Sequence, residues 1–287
     1  TFAIFIDYGS SVVRSCIMIS AYYISVVLQR KPDLLHAMAV AAFGILIADT
    51  NQFFDVGFQL SFVAVFGIFW LNQPILKYLP KPKNNFQNFM VNVVSISIAA
   101  QIVTLPLVIF YFHQYSFISI VANLIVIPFS EILIIFSLLM TVLIEFSVQI
   151  NWLNFIYDQL VTKALQLIHF FADLDFAFHR MIPMTLLEMG VAFVVIWFLR
   201  SAVKKLSLKN VLKISYFIIL FVALRFLLNY RASQISEVLV HHYYKDDIIS
   251  VKTKDKVQFV LKGSENMKKI EKFVIEPYLT SRRINTY

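Results

Sequence analysis

Apolar residues run along this chain in long unbroken stretches, at about 11–28, 34–48, 56–71, 90–112, 117–146, 184–199 and 211–228. A membrane-spanning helix needs roughly 20 apolar residues, with about 17 tolerated. The stretches 11–28, 90–112 and 211–228 meet that length easily. The pair 34–48 and 56–71 is short and bounded by acidic or proline-containing turns, which predicts thin spans or helices shielded by protein. The stretch 117–146 exceeds one ordinary span and holds Pro128 near its middle. Proline removes a backbone donor and clashes with the preceding turn. The pattern therefore predicts a short half-helix over 117–127 and a longer one over 129–146, with a plain proline kink as the alternative. Broken helices are tolerated at membrane depth where the freed backbone faces protein or a watery cavity.

Residues 151–173 follow a different rhythm. Asn151, Asn154, Asp158, Thr162, Gln166, His169 and Asp173 recur at steps of three or four and share one helical face. Apolar and aromatic residues fill the rest, which predicts an amphipathic helix in the membrane interface or one lining an aqueous path. Beyond residue 230 the pattern changes again. Val238 to Tyr244 is a β-prone run. Ile249, Val251 and Thr253 alternate with polar residues up to a Lys254-Asp255-Lys256 turn, Val257, Phe259 and Leu261 resume beyond it, and Gly263 ends the hairpin. An isolated hairpin is marginal, so the tail is expected to be part of a truncated or degenerate β domain. The predicted fold is an all-α polytopic membrane protein of about seven or eight hydrophobic segments. These include short or broken helices and one amphipathic helix, and a short α+β tail follows. The expected domains are residues 1–230 and a soluble tail over 231–287.

Composition supports the membrane class. The chain has 287 residues, 59% of them hydrophobic and 15% charged, with a mean hydropathy of +0.74. A soluble domain of this length cannot bury so much apolar side chain, whereas in lipid such side chains face outward without penalty. Cys16 is the single cysteine, which excludes a disulfide framework or a cysteine-based metal site. The first residue is Thr1 rather than methionine, so a portion of a longer protein is expected. The net charge of +8 divides evenly: residues 1–230 hold 14 Lys+Arg against 10 Asp+Glu, and 231–287 hold 11 against 7. Basic residues cluster after three of the stretches, as Arg30 and Lys31, as Lys77, Lys81 and Lys83, and as Arg200, Lys204, Lys205 and Lys209. The positive-inside rule places those loops in the cytoplasm. Thr1 and the tail then lie outside, provided that 117–146 bends back or 151–173 crosses.

Ionisable and polar groups inside spans are costly and mark candidate sites. Arg14 lies one turn into the first stretch, three residues after Ser11. Its charge must be answered by Asp55 or Asp7, by a passing phosphate, or by snorkelling to the interface. Asp55 and Gln59 share a face beside Gly57, with Ser61 close by. Ser97, Gln101 and Thr104 form a stripe, and Asn123, Ser130 and Glu131 flank Pro128. One such stripe would only glue helices together; several favour a polar interior. Enzyme readings find no support. There is no H-x-x-x-H pair, glycine-rich phosphate loop or G-x-S-x-G elbow. The adjacent His241 and His242 point to opposite faces of a strand and form a surface pair. No catalytic residue, metal ligand or cofactor is expected.

SSVVRSCIM at 10–18, DVGFQLSFVAVFG at 55–67 and AAQIVTLPLVIFYFHQYSFISIVANLIVIP at 99–128 together resemble the membrane core of the ComEC-type competence family. The likeness covers residues 7–146 by motif and 147–228 by hydropathy. It implies an inner-membrane, multi-pass channel that passes single-stranded DNA into the cytoplasm during natural transformation. The implied partners are that DNA, the lipid bilayer, other competence proteins and further copies of the chain. The motif residues to carry over are Ser11, Arg14, Asp55, Gly57, Gln59, Ser61, Gln101, Pro106, Asn123 and Pro128. Glu131 joins them as the carboxylate beside Pro128. The family's metallo-β-lactamase-like domain has no counterpart here, because the tail lacks an H-x-H-x-D-H pattern, and nuclease activity is not expected. Arg14 and the basic loops would meet phosphates, while Tyr22, Tyr23, Phe58 and Phe62 would stack on bases. The rival readings are a small-solute or ion transporter using Glu131, and a non-transporting membrane scaffold.

Overall fold

The computed structural model describes residues 10–29, 33–146, 151–174, 178–243, 246–254, 256–261 and 267–284. Its helices start where the short polar residues stand. After α1 (Ser10–Val27), the Asp33 carboxylate accepts the Leu35 amide at 3.0 Å and opens α2 (Leu34–Ala48). Asp49 accepts the Asn51 amide at 3.0 Å and starts a 3-10 turn, Thr50–Phe54. Asp55 accepts the Phe58 amide at 2.7 Å and opens α3 (Val56–Leu76). The acidic residues that interrupt the apolar pattern are thus helix caps, each satisfying a backbone donor that has no partner within the helix.

The chain continues through α4 (Asn85–Phe112), the two-residue strand β1 (Tyr115–Ser116), α5 (Ser119–Glu145), α6 (Asn151–Ala172) and β2 (Phe178–His179). It then forms α7 (Leu186–Lys204) and α8 (Leu208–Gln234). Helices α3, α4, α5, α7 and α8 are long and apolar enough to cross a membrane, and α1 and α2 are shorter apolar helices. The amphipathic pattern over 151–173 is realised as α6. The break expected at Pro128 does not occur: α5 is one helix from Ser119 to Glu145 with the proline inside it. The reason is local. A single proline frees one carbonyl, that of Leu124, and membrane helices accommodate this by small local adjustments rather than by separating. Pro74 and Pro106 sit inside α3 and α4 in the same way.

The chain divides into two compact units, one of Thr1–Ile75, Ala99–Tyr115 and Arg180–Tyr287, the other of Leu76–Ile98 and Ser116–His179. In the second, α5 packs on α6 and the Ser137 and Tyr157 hydroxyls meet at 3.0 Å. In the first, α3 and α4 run antiparallel, because Tyr111 meets Gln59 at one end and Val103 meets Gly67 further along. Helix α7 is antiparallel to α4 as well, since the Ile182 amide donates to the His113 carbonyl at 2.9 Å while Ile196 joins a core with Ala99 and Val103. Helices α3 and α7 are therefore parallel. Near their C-terminal ends the Arg200 guanidinium lies 4.6 Å from the Trp70 ring centre and its Nε donates to the Trp70 carbonyl at 3.2 Å.

The tail is an antiparallel meander of β3 (Glu237–Tyr243), β4 (Asp246–Thr253) and β5 (Lys256–Leu261), with Val240 opposite Ile249 and Ile249 opposite Val260. The alternation in β4 has the expected period, but Ile249 is exposed while Ile248, Ser250 and Lys252 are the buried members. Gly263, expected to end the hairpin, lies outside the described residues. Three short segments follow: α9 (Met267–Ile270), a π turn (Glu271–Ile275) and α10 (Glu276–Ser281). Ile248 and Val257 pack against Ile270, Ile275, Tyr278, Leu279 and Ile284. Burial pushes the Tyr278 hydroxyl above its ordinary pKa, so it stays protonated and donates to Glu237 at 3.1 Å. Lys252 is 2% exposed and its ammonium donates to the Ala232 and Ile235 carbonyls at 2.5 and 2.7 Å. A cation there satisfies carbonyls at the C-terminal end of α8 and complements its dipole.

Two outcomes follow from these contacts. A Cβ at Gly67 would stand 2.7 Å from the Val103 Cβ. Gly67→Ala is therefore expected to destabilise by about 1–3 kcal/mol through overpacking, although the same change in an open helix stabilises by up to about 1 kcal/mol. Adding Val103→Ala keeps that Cβ and removes only the two γ-methyls, at 2.9 and 3.2 Å, so it should recover part of the loss in a detergent melting curve. Lys252→Met should cost about 1.5–3 kcal/mol, the worth of a charge-assisted hydrogen bond, seen as faster amide exchange at the end of α8 and in β4.

Candidate functional site

The motif residues of the first unit converge on the start of α3. Arg14 is 4% exposed, and its Nη1 donates to Asp55 Oδ1 at 3.1 Å. The same oxygen accepts the Phe58 amide, so one carboxylate both neutralises α1 and caps α3. Gly57 makes room for the pair: a Cβ there would fall 2.7 Å from Arg14 Nη2 and 3.1 Å from Asp55 Oδ1. Gln59 then links three elements. Its Nε2 donates to the Phe53 carbonyl at 3.0 Å, and its Oε1 accepts from the Tyr111 hydroxyl at 2.8 Å. Ser61 turns back on its own helix and donates to the Gly57 carbonyl at 2.6 Å. The cluster joins α1, the 3-10 turn, α3 and α4 through polar contacts, which in lipid hold helices that have no hydrophobic drive to associate.

The other candidates are placed differently. Ser11 is exposed on α1, where its carbonyl accepts from Ser15 at 3.0 Å. Gln101 is half-buried and Pro106 fully buried on α4, both in the first unit. Asn123 and Pro128 are half-buried and Glu131 is exposed on α5, in the second unit. Among the aromatic candidates, Phe58 is buried with its ring 4.4 Å from that of Phe62, while Tyr23 is largely exposed. His241 and His242 do point to opposite faces. His242 pairs with Asp247 on the surface, whereas His241 turns inward, to Ser250 at 2.9 Å and against the Tyr278 ring. Among the described residues no three His, Cys, Asp or Glu side chains are grouped to hold a metal ion.

A second polar joint escaped sequence reasoning. Glu188 is 0% exposed in the first turn of α7. It accepts from the Thr185 amide at 2.8 Å and the Thr185 hydroxyl at 3.0 Å, completing a capping box. Arg283, near the end of the tail, grips both of its oxygens and also donates to Asn229 of α8 at 2.7 Å. The local signal was present: Thr-Leu-Leu-Glu at 185–188 is the spacing of a capping box. Its partner Arg283 is 95 residues away in sequence, and no local pattern identifies it.

These features define a helical membrane protein built on polar joints. The competence protein family matches residues 1–232, and the chain belongs to that family. ComE operon protein 3 of Bacillus subtilis (strain 168) is 27% identical over 167 residues, which is 58% of this chain and 20% of that protein. The matched region thus spans about a fifth of the relative's length. No solved structure matches the chain.

The dual role of Asp55 sets a graded expectation. Asp55→Asn keeps a capping acceptor but leaves Arg14 without its counter-charge. A loss of about 1–3 kcal/mol is expected, less than the roughly 3–5 kcal/mol for a fully buried pair, because the Asp55 side chain is 44% exposed. Asp55→Ala should cost about 1 kcal/mol more through the lost cap. Reversing the pair, Arg14→Asp with Asp55→Arg, should fail to rescue, because it sets a cation at the positive end of α3. Melting temperatures of the purified variants rank these three.

Proposed function

We propose that this chain forms membrane-embedded machinery of bacterial DNA uptake and carries single-stranded DNA across the inner membrane during natural transformation. The observation that carries this reading is the family match over residues 1–232, which includes α3, α4, α5 and α7, all but the last two residues of α8, and the whole Arg14–Asp55–Gln59 cluster. The helix directions support a polarity for it. Helices α1 and α3 both begin at that cluster, and α7 runs parallel to α3. In sequence Arg30 and Lys31 follow the end of α1, Lys77, Lys81 and Lys83 follow that of α3, and Lys204 closes α7 with Lys205 directly after it and Lys209 at the start of α8. Basic residues beyond helix ends mark the cytoplasmic side, so strands would travel from the Asp55 end toward a basic exit that attracts phosphates. In this reading the chain passes DNA and cuts no bond, and it works with other competence proteins.

The motif residues then act by holding the helices of the passage in place rather than by touching DNA. Gln59→Leu removes both the Phe53 and the Tyr111 contacts. It should abolish uptake of labelled DNA and transformation while leaving the protein at normal level in the membrane; Tyr111→Phe should reduce both partially. In a strain lacking the gene, DNA should still bind outside the cell but fail to enter the cytoplasm. Unchanged internalisation in that strain would sink the proposal.

A further inference from the structure

Helices α4, α7 and α8 enclose a cleft of about 310 Å³. Its walls are apolar, with Pro106, Ile109, Ala192 and Phe221 among them, and Arg225 is the single charged residue lining it. Ile218 at its edge is 45% exposed, and α8 has no buried residue among those described. The cleft is therefore open along α8, toward whatever solvent surrounds the helices. Arg225 is incompletely neutralised by its neighbours. Its Nη1 donates to the neutral Pro183 carbonyl at 3.2 Å, and Glu188 stands 3.8 Å away with its oxygens already held by Arg283 and Thr185. One carboxylate thus faces two guanidiniums, a local excess of one positive charge. Arg225 lies nine residues before the end of α8, about 13 Å along the axis, within snorkelling reach of a headgroup layer.

We propose that this cleft is a binding site for one anionic phospholipid, with an acyl chain against Pro106, Ile109 and Phe221 and the phosphate on Arg225. A polar solute would find no partners along the walls. A nucleic-acid strand needs a basic groove with stacking platforms, and a single guanidinium over apolar walls does not supply one. In a bilayer the acyl chain gains nothing by moving from lipid to an apolar wall. Selection therefore rests on the headgroup charge, and Arg225 is the residue that reads it. The site is independent of what the protein transports.

Native mass spectrometry of the full chain, released from vesicles of equal phosphatidylglycerol and phosphatidylethanolamine, tests this directly. One phospholipid should stay bound, with phosphatidylglycerol preferred by about fivefold, the worth of one cation near an anionic headgroup. Arg225→Gln should bring the preference close to one, and Arg225→Lys should keep most of it. Ala192→Phe, which fills the cleft and leaves the charge, should lose the bound lipid. Equal retention of the two lipids by the wild type, an unchanged preference in Arg225→Gln, or displacement of the lipid by oligo-dT would each overturn the assignment, the last by making Arg225 a nucleic-acid contact.

Discussion

A guanidinium taken out of water must meet a carboxylate or reach the interface, and Arg14 meets Asp55. The start of the membrane domain follows from that pairing. Because Asp55 is also the cap of α3, the contact that neutralises α1 fixes where α3 begins. Because the pair is bulky, the residue two positions on must lack a side chain, and Gly57 does. Because Gln59 stands one turn beyond Asp55, it reaches both the 3-10 turn and Tyr111 of α4. The Asp-x-Gly-x-Gln spacing is thus one joint, with each residue answering a demand created by the one before it.

The Glu188–Arg283 joint works by the same physics at a different place. Lipid tails are as apolar as leucine, so buried polar contacts and close packing at small residues do the work of holding helices. Glu188 caps α7, Arg283 ties the tail to it, and Lys252 closes the end of α8. The sheet is therefore anchored to two membrane helices by charges that have left water.

For DNA passage this separates two roles that the residues themselves do not announce. If the chain passes DNA as proposed, the buried and paired Arg14 would shape the helices around the path, while exposed residues such as Tyr23 and the basic stretches beyond α3 and α7 would be available to a strand. Phe58, packed on Phe62, serves the core. The same distinction applies on α5, where Glu131 is exposed and Pro128 sits in an unbroken helix.

Which stretches become helices was legible from apolar run length alone, because a spanning helix satisfies its own backbone and needs only about 20 apolar residues. Leu34–Ala48 matches the stretch 34–48 residue for residue, and the steps of three and four over 151–173 produced α6. The joint at Asp55 was partly legible, since Arg14, Asp55, Gly57 and Gln59 are unusual residues in apolar surroundings. What only the tertiary structure decided is who partners whom. Pairs such as Glu188 with Arg283, Gln59 with Tyr111 and Gly67 with Val103 are set by the packing of helices distant in sequence, and local periodicity carries no record of it. The tail shows the limit most plainly. The alternation in β4 established its period, but which of its two faces is buried depends on α8 and the three short helical segments after β5. Lys252 lies inward because two carbonyls at the end of α8 await a cation, and nothing near it in the sequence states that need.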